Sequence, residues 1–499
     1  MELIWNEIAA PRLILLEKPQ VLLEGAIPLP AGKDAAELID YTAEAQLDSC
    51  RAETAKLSID GRLTVRLIAA DSAGEVFAFT SESPFSHTLT DAAIEPGMAA
   101  EVLPALSVLT VRRAPDGKLM LSAALDLDCA VISAAPVKAL SRVNGVADME
   151  IRTGEAQLTS RRLIGTNLIH LSDELSCDGA DEVISSDLRL SVRDTAFENG
   201  GVTVSGVAVF TALCRSAGGE LSQLSRSLPF RESVETDGTA EEVYAFADVK
   251  NCAVRALGTE FSLVSAEADI ELRVCGLRSA GVVLPLDAFS PGINFNCIKQ
   301  KSTFLSVLGS AEQQHTVREN VTVPDGMPDI FTPLYVSARP VVTSAELAGG
   351  ELCIDGLLPT RLVYRSAGGG ILSFTEDVPF SVSVASPSGA VLPRLCLSCS
   401  CSITGGSGRT AQIGYQLTVS CEFWSELETE LVVGLAEQNA GRDEPSAERI
   451  SGLIIHTAGE GETIFDIAKR FRVPTKTVRG LNPDLPEQLA AGEKILLVI

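Results

Sequence analysis

The dipeptide Pro-Phe occurs three times at matched spacing, at Pro84-Phe85, Pro229-Phe230 and Pro379-Phe380, 145 and 150 residues apart. Each copy follows a run of alternating apolar residues and a Gly-containing turn. Upstream by 54, 52 and 55 residues stand Pro30-Ala31-Gly32, Cys177-Asp178-Gly179 and Pro324-Asp325-Gly326. Between these landmarks Asp71-Ser72-Ala73-Gly74 recurs as Arg215-Ser216-Ala217-Gly218 and Arg365-Ser366-Ala367-Gly368. Three landmarks in step mean three related units, and a chain of 499 residues is in any case too long for one core.

Within a unit the hydrophobic period is two. Leu57, Ile59, Leu63, Val65 and Leu67 alternate with Ser58, Asp60, Arg62, Thr64 and Arg66; Ala266 to Val274 and Tyr415 to Phe423 behave alike. One face of each segment is apolar and the other polar, which is strand patterning. Short strands separated by Gly, Ser and Asp turns, without long helical patterns, predict a mainly β chain of three tandem antiparallel sandwich- or barrel-like repeats. The expected limits are 1–150, 151–305 and 306–437, then a polar linker at 438–451.

From Gly452 the pattern changes. Leu453-Ile454-Ile455 reads as a strand and Thr463 as a helix N-cap with Asp466 three residues on. Ile464, Ile467, Ala468 and Phe471 form one helical stripe, Pro474-Thr475 opens a second helix, and Lys494 to Val498 closes with a strand. The module at 452–499 is therefore α+β, in the order βααβ.

Charge narrows the partners. With 40 Lys+Arg against 66 Asp+Glu the formal charge is -26, which repels phosphate backbones and anionic membranes, so nucleic acid and direct membrane insertion are not expected. The start, Met-Glu-Leu-Ile-Trp-Asn-Glu, lacks a basic segment and no window approaches 18 apolar residues, so a cytoplasmic protein with reduced thiols is expected.

Chemistry leaves few local marks. Cys396, Cys399 and Cys401 contain a C-x-x-C, but in a strand Cys396 and Cys399 point to opposite faces, so the expectation is no metal site and no cofactor. Asp325 and Asp329 flank a Pro-Asp-Gly-Met-Pro turn, which those residue types form on their own account, and Ala31 stands at the first position in repeat 1. His87, His170, His315 and His456 are scattered singly, without metal spacing. No catalytic residue is assigned and no enzyme is expected.

Gly461-Glu462-Thr463-Ile464-Phe465-Asp466-Ile467-Ala468-Lys469-Arg470-Phe471, Val473, Leu481-Asn482 and Gly492-Glu493-Lys494-Ile495 resemble the LysM family. The resemblance maps the two glycan-contacting loops of sugar-binding members onto Glu460, Gly461, Glu462, Thr463, Leu481, Asn482 and Asp484. Those loops carry no Tyr or Trp, whereas Lys469, Arg470, Arg472, Lys476 and Arg479 fall within eleven positions. Lys469, Arg472, Lys476 and Arg479 are the expected partner contacts, with a solvated helical face as the plainer reading.

The third repeat, from Val321-Thr322-Val323-Pro324-Asp325-Gly326-Met327-Pro328-Asp329-Ile330 to Pro379-Phe380, resembles the SPOCS domain of spore-forming Firmicutes, with the first two repeats as degenerate copies. Tandem SPOCS repeats before a terminal LysM is the layout of the clostridial SipL-like spore coat proteins. This resemblance implies a non-catalytic scaffold of spore coat morphogenesis in the mother-cell cytoplasm at the forespore surface, its LysM engaging the coat basement-layer ATPase. Direct binding of peptidoglycan or other N-acetylglucosamine glycans at the cell wall is the alternative, and a wall hydrolase the third.

Overall fold

The computed structural model describes every residue except 177–179, 199, 239, 258–262, 438–451 and 499. The linker expected over 438–451 and the motif Cys177-Asp178-Gly179 lie outside the described residues. The chain is mainly β, in several antiparallel sheets, with two short helices near the C-terminus. Among the described residues no helix is long and apolar enough to cross a membrane.

Each repeat lays one antiparallel meander against a second antiparallel set, of three strands in repeats 2 and 3 and of four in repeat 1, where the first strand breaks at Lys18-Pro19. The meanders are Glu37–Glu53, Lys56–Ala70 and Val76–Thr90; then Ala180–Glu198, Gly201–Ser216 and Leu221–Glu235; then Ile330–Ala338 with Val341–Ala348, Glu351–Ser366 and Ile371–Ala385. The period of two sets their faces: Leu57, Ile59, Leu63, Val65 and Leu67 are fully buried and meet Leu121, Leu125 and Leu127 of the opposing strands. In repeat 3 the first strand of the meander breaks at Arg339-Pro340, where proline removes a ladder donor.

The Pro-Phe landmark has a packing cause. Phe85, Phe230 and Phe380 sit directly across the ladder from Gly61, Gly206 and Gly356. On each glycine's other side the neighbouring strand carries a bulge, at Leu47/Ser49, Val192/Asp194 and Val342/Ser344. The ring fills the space that glycine leaves beside the bulge. The preceding proline lies on a strand with one ladder partner, where a missing N–H is tolerated.

The turn landmark needs a correction of one residue. Gly74, Gly219 and Gly369 have φ of 81°, 79° and 87°, and each donates its N–H back to the residue three earlier, Asp71, Ser216 and Ser366. Asp71 is therefore equivalent to Ser216 and Ser366, not to Arg215 and Arg365. The sequence matched the Ser-Ala-Gly letters, whereas backbone geometry selects the glycine with positive φ.

The boundary expected at 305/306 also moves, because Phe295–Thr322 is one unbroken strand through it. Repeat 2 ends with the strand Leu263–Phe289, so the junction lies in the turn before Phe295. First and last strands of the repeats outrun the sandwiches. Their outer halves pair as three hairpin-like antiparallel ribbons, each joining the two ends of a repeat: Glu2–Ile8 with Val137–Asn144, the start of Glu150–Ser176 with the end of Leu263–Phe289, and the start of Phe295–Thr322 with the end of Thr410–Glu437. In repeat 1 these strands break before Pro11 and Pro136; in repeats 2 and 3 they run continuously. The hairpins enclose a stem core of Ile8, Ala139, Leu158, Leu284, Phe304 and Leu431.

The three repeats close around a shared centre. Ile39, Ile68 and Val76 of repeat 1 meet Ile184, Leu213 and Leu221 of repeat 2 and Leu334, Tyr335 and Val363 of repeat 3. Ile68, Leu213 and Val363 are matched positions, opposite Asp40, Ser185 and Tyr335 in their ladders, so the arrangement is a pseudo-threefold. Each junction carries polar links. Arg66 donates to Ser186 O at 3.1 Å, Gln223 bridges to Val336 N and Cys401 O at 3.2 Å each, and Ser337 donates to buried Asp40 at 3.0 Å.

Candidate interaction site

The terminal module comprises the strands Leu453–Thr457 and Lys494–Val498 around helices α1 (Ile464–Phe471) and α2 (Thr475–Leu481). Thr463 caps α1 with a capping box: Asp466 N–H donates to Thr463 Oγ1 at 3.2 Å and Thr463 N–H donates to Asp466 Oδ2 at 3.1 Å. Arg472, with φ 52° and ψ 45°, ends the helix in the left-handed region. Ile464, Ile467 and Ala468 are buried with Val478, Ile495 and Leu497, and Phe471 packs at the edge.

That small core does not end inside the module. Phe289, the last residue of the repeat 2 stem strand, belongs to it and meets Phe465 edge to face at 5.1 Å between ring centres. Around this aromatic pair the contacts are charged. Lys469 Nζ lies 2.7 Å from both oxygens of Asp287, whose residue exposure is only 6%. Arg152 holds Asp466 at 3.0 Å and places its guanidinium 5.2 Å from the Phe465 ring centre. Glu150 Oε1 accepts the Thr475 N–H at 2.7 Å, a carboxylate at the start of α2, which has no side-chain cap of its own.

All four stem residues come from one hairpin, where Arg152 faces Asp287 and Glu150 faces Phe289 across the ladder. A bulge follows Arg152, and the same bulge follows Ile4 and Ile298 in the other two hairpins. Equivalent pairs are thus Ile4 with Arg142 in repeat 1 and Ile298 with Gly434 in repeat 3. Neither offers a carboxylate to Lys469, and repeat 1 offers a like charge. Side chains, not topology, select the docking face.

Of the four expected partner contacts, Lys469 is therefore taken by Asp287 within the chain. Arg479 pairs with Glu487. Arg472 and Lys476 are exposed and make no ion pair among the described residues. The loop residues divide similarly. Glu462 is enclosed by His456 at 3.0 Å, the Gly459 N–H at 3.0 Å and Arg470 at 2.7 Å. Asn482 donates to Val478 O and Leu496 O and accepts from Leu496 N, all at 2.8 Å, which stitches α2 to the last strand. With Thr463 spent on the helix cap, three of the seven loop residues serve the module's own fold. Glu460, Gly461, Leu481 and Asp484 face solvent.

The carboxylates give the contact a pH dependence. Burial pushes Asp287 up, but the Lys469 hydrogen bond and charge and the Ala288 N–H outweigh it, so its pKa falls below the ordinary 3.8. Inside the module Glu462 is likewise lowered from 4.5, with burial opposed by His456, Gly459 and Arg470, which bears on the module's own fold rather than on its docking. A lowered folded-state pKa contributes stability that is present above the ordinary carboxylate range and lost as pH falls through the folded value. The module is expected to stay docked at about pH 7 and to loosen below about pH 4, which small-angle scattering across that range checks.

The remaining candidates for chemistry resolve into structure. Asp325 and Asp329 share Arg409, at 3.3 and 3.7 Å, which also donates to Met327 O and Val323 O. The pair is a clamped turn. In the strand Leu392–Ser407, Cys399 and Cys401 are buried and Cys396 lies on the exposed side. Among the described residues no cluster of three or more His, Cys, Asp or Glu could hold a metal ion. Glu150, Arg152, Asp287 and Phe289 are not singled out by the sequence, and Phe465 stands there only as part of the LysM-like motif, since each is an ordinary residue at a strand end or a helix start until folding brings them together. No protein-family model matches the chain, and comparison with curated proteins and with solved structures finds no match.

Proposed function

We propose that this chain is a non-catalytic scaffold of spore coat morphogenesis, working in the mother cell at the forespore surface, with its LysM-like module docking a coat basement-layer ATPase. The observation that carries the reading is the division of the module's cations: Arg472 and Lys476 point to solvent unpaired among the described residues, on a module held to an acidic body. Exposed cations on a fixed platform suit an acidic protein surface, where such charges raise association rates and fix orientation. The employment of Glu462, Thr463 and Asn482 in the module's own fold weighs against glycan recognition through those loops. The resemblance to SPOCS and LysM sequences supplies the biological setting.

The test uses the full chain with Arg472→Glu/Lys476→Glu, against the purified ATPase and, separately, insoluble peptidoglycan. The scaffold reading expects the wild type to bind the ATPase and the double reversal to weaken it about tenfold or more. Saturable sedimentation with peptidoglycan and no ATPase binding would overturn it in favour of glycan binding.

A further inference from the structure

We infer that the repeat 2 stem hairpin is a latch that holds the terminal module closed and masks its α1 face, so that a partner reaching Phe465 and Lys469 must displace Phe289 and Asp287. The partner half of this statement rests on the function proposed above; the latch itself does not.

The contact is built rather than incidental. It joins an aromatic pair at 5.1 Å, two ion pairs of opposite polarity at 2.7 and 3.0 Å, and a carboxylate on the first N–H of α2. Opposite polarities fix the module's orientation, because turning it about sets Lys469 against Arg152 and Asp466 against Asp287. Pseudo-threefold symmetry offers two further hairpin ends of the same backbone form, yet only one carries these side chains. Ile4 and Ile298 replace Arg152, while Arg142 and Gly434 replace Asp287.

The same contact covers a defined set of groups. Phe465 is buried, Lys469 is engaged, and Asp466 serves both the α1 cap and Arg152. Arg472, Lys476, Glu460 and Asp484 stay exposed in the closed form. The closed module thus presents one half of its polar surface and withholds the other. A partner that competes for α1 needs what the hairpin supplies, a carboxylate for Lys469 beside an aromatic edge for Phe465. Its apparent affinity is reduced by the fraction of chains that are closed.

The experiment measures closure without any partner. In the full chain, Asp287→Lys and Lys469→Asp are each expected to raise the radius of gyration and to speed amide exchange at 150–154 and 284–289 about tenfold, and the double exchange to restore both. Arg152→Ala, which buries no new charge, is expected to act in the same direction, and circular dichroism melts report whether the β body is intact. Single reversals that leave scattering and exchange unchanged in a folded body would overturn the latch. The second arm titrates the purified coat basement-layer ATPase. Asp287→Lys, whose mutated position is outside the module, is expected to bind about tenfold more tightly than wild type. Equal affinity in a variant that scattering shows to be open would overturn the masking. Absence of binding by either form would strike the proposed function, and scattering alone then decides the latch.

Discussion

Replacing Glu422 by Ala is expected to cost about 3–5 kcal/mol, among the largest single losses in the chain, because the carboxylate is the shared acceptor of a buried network. Its exposure is 6%, and it accepts from Arg161 at 2.8 Å on both oxygens, from Trp424 Nε1 at 2.9 Å and from the Tyr244 hydroxyl. Arg161 reaches on to Glu101 of repeat 1. Arg394 lies 4.9 Å from the Trp424 ring centre and donates to Asp128 O at 3.0 Å. One carboxylate of repeat 3 thereby ties Arg161 and Tyr244 of repeat 2 to the chain around Glu101 and Asp128 of repeat 1. Removing it leaves an indole N–H and a phenol without their acceptor, and the half-buried Arg161 guanidinium with Glu101 alone. Burial, reinforced by Glu422, holds the Tyr244 phenol far above its ordinary range, so it has no route to relief by ionising. The Glu422→Gln variant keeps an acceptor and should lose less. Arg161→Met/Glu422→Leu should lose less than the two single losses combined, since neither member of the Arg161–Glu422 pair is left facing the other's gap, while Glu101 loses its cation in both the Arg161 single and the double variant. Equilibrium denaturation of wild type, Glu422→Ala, Glu422→Gln, Arg161→Met, Glu422→Leu and the double variant measures each term.

The second large effect is at the glycines beneath the Pro-Phe rings. A Cβ at Gly356 would sit closer than 3.0 Å to both the Val341 backbone oxygen and the Phe380 ring, and Gly61 and Gly206 meet the same two obstacles. Gly356→Ala is expected to cost about 3 kcal/mol or more, since backbone oxygen at a bulge cannot step aside as a flexible side chain can. Phe380→Ala opens a cavity and should cost about 3–5 kcal/mol. The double variant should fall short of the combined losses, because truncating the ring removes one of the two clashes while the Val341 oxygen keeps the other. Full additivity by denaturation would show that ring and glycine do not share one space. The same substitution at Gly206 is predicted to behave alike, which makes the repeat a built-in replicate.

How far the sequence carries this picture depends on whether the signal is local. Strand faces were legible because period two is a property of neighbouring residues, and Leu57 to Leu67, Ala266 to Val274 and Tyr415 to Phe423 are buried as their parity requires. The helix cap at Thr463 and the stripe through Ile464, Ile467 and Ala468 were legible for the same reason. Repeat limits were less so. Phe295–Thr322 serves stem and sandwich in one run, and no break marks the passage from one core to the next. The shared centre and the docking face were not legible at all. Ile68, Leu213 and Val363 read as ordinary strand residues, and Lys469 reads as a free surface cation until Asp287, 182 residues away, is brought against it. The partner in each case is set by tertiary packing, which spacing does not encode.

The three repeats form one interlocked body rather than independent beads. Region-resolved hydrogen exchange of the full chain along a denaturant series tests it most directly, reading Lys56–Ala70, Gly201–Ser216 and Glu351–Ser366 as reporters of the three sandwiches. The shared core and the Glu422 network predict one common midpoint for the three strands, shifted together by Glu422→Ala. Three separate midpoints, with only repeat 3 responding to Glu422→Ala, would contradict the account.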